Sequence, residues 1–279
     1  MRDEFTWWLE RGRPLDLDAV TTVSGDLADL DGAPRVAVVA HHHPGGLVTF
    51  ATRRLLEELT AAGCRCVLVS TCALAPAALR AVPPSAVVLV RPNEGYDFGS
   101  WAVALNRLPR ARQESEIVLT NDSMVGPFAP LAPLLARAAH SGTEVWAVTS
   151  SLQVTPHLQS YFLSFAPGVL GHPALRRFFS RVTHLDNKVA IVRRHELGLT
   201  RAVQGAGLTS AAGFPAGVLG AGRRNPTLVA WRALMERGYP FFKRTLLRDP
   251  RVRVPVEDLA LAVREIHDVD LTPYLEDLP

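Results

Sequence analysis

The sequence predicts an α/β fold: a mostly parallel, Rossmann-type sheet flanked by helices, with a helical C-terminal part. Three observations lead there. Short apolar, β-branched runs recur through the first 150 residues, helical stretches separate them, and polar, glycine-bearing loops follow the runs.

Residues 1–33 are polar and irregular and read as an N-terminal extension, with a short helix over Glu4 to Arg11. Arg35 to Ala40 has the Val/Ala character of a buried parallel strand. After the turn His41 to Gly46, a helix is expected over Leu47 to Ala62, with Leu55 and Leu59 on its apolar face and Gly63 as its stop. Cys66 to Ser70 is the second strand, Pro76 to Arg80 a small helix and Ala86 to Val90 the third strand. Pro92 to Gly99 reads as a loop and Ser100 to Leu108 as a helix. Glu116 to Thr120, a helix over Leu131 to Ala139, and Glu144 to Thr149 complete the alternation. Beyond 150 the pattern changes. A strand is expected at Gln159 to Ala166, helices at Ala174 to Val182 and Asn187 to Gln204, and a Gly/Ala/Pro-rich loop or lid at 205–227. A helix over Thr227 to Arg237 and a polar tail follow.

Composition narrows the function. With 48% hydrophobic and 20% charged residues, the 279-residue chain can bury a core, so extensive disorder is excluded. The net charge of +3 comes from scattered arginine pairs, not from one basic stripe, which argues against a nucleic-acid partner. It leaves room for attraction to phosphate or anionic lipid headgroups. Cys64, Cys66 and Cys72 form no zinc-ligand spacing and read as reduced thiols. No secretory signal opens the chain, and no apolar run nears the roughly 20 residues a bilayer requires. A cytoplasmic protein is expected, with peripheral association at the inner face of the cell membrane.

Ligands of open parallel sheets bind outside the carboxyl ends of strands, and four unusual segments fall there. His41, Ser70, the run Arg91 to Gly99, and Asn121-Asp122-Ser123 each follow an expected strand. In the third, Gly95 and Gly99 permit close backbone approach, and Asn93 and Asp97 offer acceptors to a ribose or base, or else form a turn and helix cap. Asp122 is either a turn residue or a hard ligand that holds Mg²⁺ or Mn²⁺ against a diphosphate. Three successive histidines cannot share one metal, and His41 is the one expected to face the crevice. His157, Gln159 and Ser160 precede an apolar strand as candidate sugar or acceptor contacts; Glu196 lies in an expected helix, where acids are usually solvated.

The segments Asn93 to Gly99, Leu119 to Ser123, His157 to Phe162, His195 to Thr200 and Tyr239 to Arg244 together resemble the rhamnan synthesis protein F family, in order, over about residues 35–250. The resemblance implies a GT-A-like glycosyltransferase domain over 34–250. Its nucleotide-sugar half would be 34–150, its acceptor-side half 151–250, and 251–279 a C-terminal tail. It implies a nucleoside diphosphate sugar donor, dTDP-rhamnose, bound by His41, Ser70, Asn93, Gly95, Asp97 and Gly99. It implies a glycan or lipid-linked glycan acceptor, and Glu196 as the base of an inverting displacement. The usual Asp-X-Asp metal motif is reduced here to Asp122, so Arg193, Arg194 or Lys243 could meet the diphosphate instead. A non-catalytic scaffold in a glycan assembly complex is the competing class. Phosphoryl transfer, dinucleotide oxidoreduction and serine hydrolysis lack their loop motifs.

Overall fold

The computed structural model describes residues 11–276 and residue 278; the expected helix at Glu4 to Arg11 lies outside the described residues, save Arg11. Two short strands open the described chain, β1 (Arg13–Pro14) and β2 (Thr21–Ser24). The alternation that follows has β3 (Arg35–His41), α1 (Phe50–Ala61), β4 (Arg65–Ser70), α2 (Pro76–Arg80), β5 (Val87–Val90), α3 (Tyr96–Arg107) and β6 (Glu116–Asn121). Then come β7 (Met124–Val125), α4 (Ala132–His140), β8 (Val145–Ser151), β9 (His157–Leu158), β10 (Phe162–Phe165), α5 (Pro173–Ser180) and β11 (Thr183–His184). A π turn, Val192–Glu196, leads into α6 (Leu197–Gly205), and β12 (Ser210–Phe214), α7 (Trp231–Glu236), β13 (Phe242–Lys243) and α8 (Val256–His267) close the fold.

Nine strands form one mixed sheet in the order β12-β8-β10-β6-β3-β4-β5-β2, with β9 beside β8. β6, β3, β4 and β5 run parallel, β10 is antiparallel to both β6 and β8, and β12 is parallel to β8. The central strands are buried on both faces, as parallel strands covered by helices must be. In β3, Val36, Val38 and Ala40 pack with Trp101 and Leu105 of α3, while Ala37 and Val39 pack with Leu55, Leu56 and Leu59 of α1. A third core joins Leu259 and Val263 of α8 to Val125, Phe128 and Phe242.

Several elements depart from expectation. α1 begins at Phe50, because the Thr49 side chain accepts from the Thr52 N–H and caps the helix there. α3 begins at Tyr96, four residues early, so Asp97 and Gly99 are helical and not in a loop. Its N-cap is Gly95, at φ +71°, so the alternative reading of Asp97 as the cap does not hold. The stretch 205–227 is not all loop, since β12 extends the sheet there. The polar tail contains α8, with Leu259, Ala262 and Val263 buried.

Candidate functional site

β3 is followed by β4 on one side and has β6 on the other, so the strand order switches between β3 and β6. The carboxyl ends of strands splay apart at such a point and open a crevice. Asp122 bridges it: its Oδ2 accepts from the His42 N–H at 2.9 Å and its own N–H donates to the Ala40 carbonyl at 3.2 Å.

A cleft of about 670 Å³ opens there, lined by Asp97, Asn121, Asp122, Gln159, Ser160, Glu196 and Lys243, with Tyr96, Arg244 and Arg248. A neighbouring cavity of about 260 Å³ shares His42, Tyr96 and Asp97 with it and adds His41, Asn93 and Gly95. Segments from His41 to Asp249 along the chain therefore meet at one mouth.

Each group is held by identifiable partners. Asn121 Nδ2 donates to Asp97 Oδ2 at 2.7 Å, and Asn121 Oδ1 accepts from the Ser123 hydroxyl at 2.6 Å. Burial pushes the Asp97 carboxyl up to about 7, the charge of Asp122 adds to the rise, and the Asn121 hydrogen bond opposes it. Glu196 sits at the end of the π turn, where its Oε1 accepts from both the Ser160 N–H (2.8 Å) and the Ser160 hydroxyl (3.0 Å). π turns within helices commonly mark functional positions. Gln159 accepts from the Thr149 hydroxyl at 2.7 Å and donates to Asn225 at 3.1 Å.

His41 lies deeper. Its Nε2 lies 3.0 Å from the Leu47 carbonyl and its Nδ1 3.1 Å from the Ser70 oxygen, whose hydroxyl donates to the Cys72 carbonyl (3.0 Å). Ser70 is wholly buried and supports His41 from below. Gly99 is a packing glycine: a Cβ there would lie 2.4 Å from the Glu94 carbonyl oxygen and 3.0 Å from Arg91 Nη2. His157 is buried, with Nδ1 2.8 Å from the Thr155 carbonyl, and is not a lining residue of the cleft. Arg193 lines neither cavity.

Spacing did not disclose four contributors. His184, on β11, accepts from the Gly95 N–H through Nδ1 at 3.0 Å and donates through Nε2 to Asp186 at 3.0 Å, which fixes the start of α3. Tyr96 is half-exposed at φ +52°, a second left-handed residue after Gly95, and its ring stands at both cavities. Strain of this kind clusters at ligand clamps. Arg244 donates to the Asp122 carbonyl, and Arg248 lies one helical turn on. A basic residue repeated four positions on was the one available signal.

For a resident metal ion the donor set is a poor fit. Among the described residues, no group of three or more His, Cys, Asp or Glu could hold one. Asp122 already accepts from His42, and Asp97 resists ionisation.

A family model described as rhamnan synthesis protein F matches residues 67–272. Virulence protein VirA of Vibrio anguillarum is 30% identical over 195 residues, covering 58% of this chain and 62% of VirA. The uncharacterized protein y4gN of Sinorhizobium fredii is 24% identical over 214 residues, covering 73% of this chain and 56% of y4gN. The chain thus spans about three fifths of the length of these curated relatives.

Proposed function

This chain belongs to the rhamnan synthesis protein F family, and on that premise we propose that it is a glycosyltransferase of polysaccharide biosynthesis. The reaction moves a sugar, L-rhamnose from dTDP-rhamnose, onto a cell-surface polysaccharide or glycolipid precursor. One observation carries the reading: Asp97, Asp122 and Glu196, distant in sequence, open onto a single cleft that also presents Lys243, Arg244 and Arg248. Displacement of a diphosphate requires a carboxylate to take a proton and basic groups to meet the leaving charge within one cleft.

The donor's nucleoside lies in the smaller cavity, against Asn93, the Gly95 backbone and the Tyr96 ring, and its diphosphate projects into the cleft. The acceptor oxygen attacks the anomeric carbon as the bond from that carbon to the diphosphate oxygen breaks. Glu196 takes the acceptor hydroxyl proton, a step usually worth about 10²–10⁴-fold. The two Ser160 hydrogen bonds hold the carboxylate in one orientation, so little reorganisation is needed at the moment of transfer. Charge accumulating on the leaving diphosphate is met by Lys243, Arg244 and Arg248. Below about pH 7 Asp97 holds its proton and adds no negative charge beside that diphosphate. No step depends on a metal.

Among the described residues no helix is long and apolar enough to cross a membrane.

Glu196→Gln tests the assignment. The amide still accepts from Ser160 but cannot take a proton, so transfer should fall by about 10²–10⁴-fold, while calorimetric binding of dTDP is retained. Full turnover in this variant removes Glu196 from the mechanism. Failure of the wild-type chain to bind any nucleoside diphosphate favours the scaffold instead.

A further inference from the structure

The π turn has a second face. Ile191, Val192 and Glu196 line the cleft, whereas Arg194 and His195 line a separate groove of about 340 Å³, and no residue lines both. Arg177 and Arg181, at the end of α5 and just beyond it, complete a basic rim over an apolar floor that includes Phe178 and Val182. Among the described residues that line it, none is acidic. Three like charges around a small opening raise its potential and favour an anion.

The groove also has a built-in reporter. His195 is only 4% exposed, and its Nδ1 has no hydrogen-bond partner within the protein. That nitrogen is sealed from solvent, so it is the rest of the ring, packed on Phe98, that borders the groove and senses the charge there. Burial and the Arg194 charge push the ring down to about 4, so near neutral pH it is uncharged and adds nothing to the positive rim.

We propose that this groove binds a phosphate ester, separate from the donor in the cleft. The phosphate oxygens are held by the guanidinium groups of Arg177, Arg181 and Arg194, beside the His195 ring, while the organic remainder lies on Phe178 and Val182. Arginine suits this role because its planar fork engages two phosphate oxygens at once. A phospholipid headgroup and a soluble phosphomonoester share this chemistry.

The test follows the His195 imidazole nitrogens by NMR while inorganic phosphate is added at low salt, with the resonance assigned from a His195→Asn sample. Wild type should show a saturable shift. The pair Arg177→Ala/Arg181→Ala should weaken phosphate binding at least about tenfold, or about 1.4 kcal/mol. The pair Arg177→Lys/Arg181→Lys keeps the charge and should lose less. Arg177 and Arg181 are exposed, so both pairs keep the fold, which unchanged thermal unfolding verifies. Absence of a saturable shift, or equal midpoints in wild type and the alanine pair, overturns the proposal. Co-sedimentation with phosphatidylglycerol vesicles, set against phosphatidylcholine vesicles, separates the sources. Retention that the alanine pair loses assigns a lipid headgroup; a phosphate response without retention assigns a soluble ester.

Discussion

Replacing Asp97 by Asn should remove a large pH dependence of stability. The carboxyl is raised from its ordinary 3.8 to about 7, chiefly by burial. That is roughly three units at about 1.36 kcal/mol each, so close to 4 kcal/mol separates its two protonation states. In the unfolded chain the group ionises near 3.8; in the folded protein it holds its proton until about 7. The stabilising contribution is therefore complete below pH 3.8 and is lost as the pH rises through 7. The amide has no proton to lose and can still accept from Asn121 Nδ2. Urea unfolding of wild type and variant at pH 5 and pH 8, without ligand, measures the effect. The variant's stability relative to wild type should grow by roughly 2.5 kcal/mol from the lower pH to the higher. A difference that stays constant within about 0.5 kcal/mol means the carboxyl is already ionised at pH 5, and the reasoning from burial fails.

Ser160→Ala deletes one of the two hydrogen bonds on Glu196 and keeps the backbone one. Steady-state kinetics should show kcat down about tenfold with donor KM unchanged, since about 1.4 kcal/mol is one decade. Gly99→Ala forces a methyl against the Glu94 carbonyl; it should destabilise by about 1–3 kcal/mol and abolish the thermal shift given by dTDP. Leu259→Ala opens a hole in the third core, where the side chain is wholly buried. Chemical denaturation should report a loss of about 2–5 kcal/mol.

The parallel core was legible because its strands are written as short apolar runs. Val36 to Ala40, Val67 to Ser70 and Ile117 to Thr120 all stand within a residue or two of where the sheet places them. β12 was not legible, because Ser210-Ala211-Ala212-Gly213-Phe214 has no periodicity of its own. It becomes a strand because β8 offers an open edge, and Gly213 leaves room for the Trp146 ring, which a Cβ would approach to 2.4 Å. α8 was written in the sequence, since Leu259, Ala262, Val263 and Ile266 recur at helical spacing, and only its charged positions Glu257, Asp258, Arg264 and Glu265 made the segment look like a polar tail. In the site, the acid-bearing loops were visible as residue types at strand ends. The grip of Ser160 on Glu196 was invisible, because a contact across 36 residues is set by the return of β9 and β10 and leaves no mark in spacing. His184 was silent for the same reason, since it reaches Gly95 across 89 residues.

The placement of β10 sets the order in which the protein can be built. β6 and β8 both leave the ribosome before the strand that belongs between them. Until Phe162 to Phe165 emerge, two hydrophobic strands carry bare edges, which are templates for pairing with other chains. The interval between the emergence of β8 and that of β10 is thus one in which a nascent chain is exposed to misassembly. A chain stopped short of it is left with two open seams where the finished protein has a closed one.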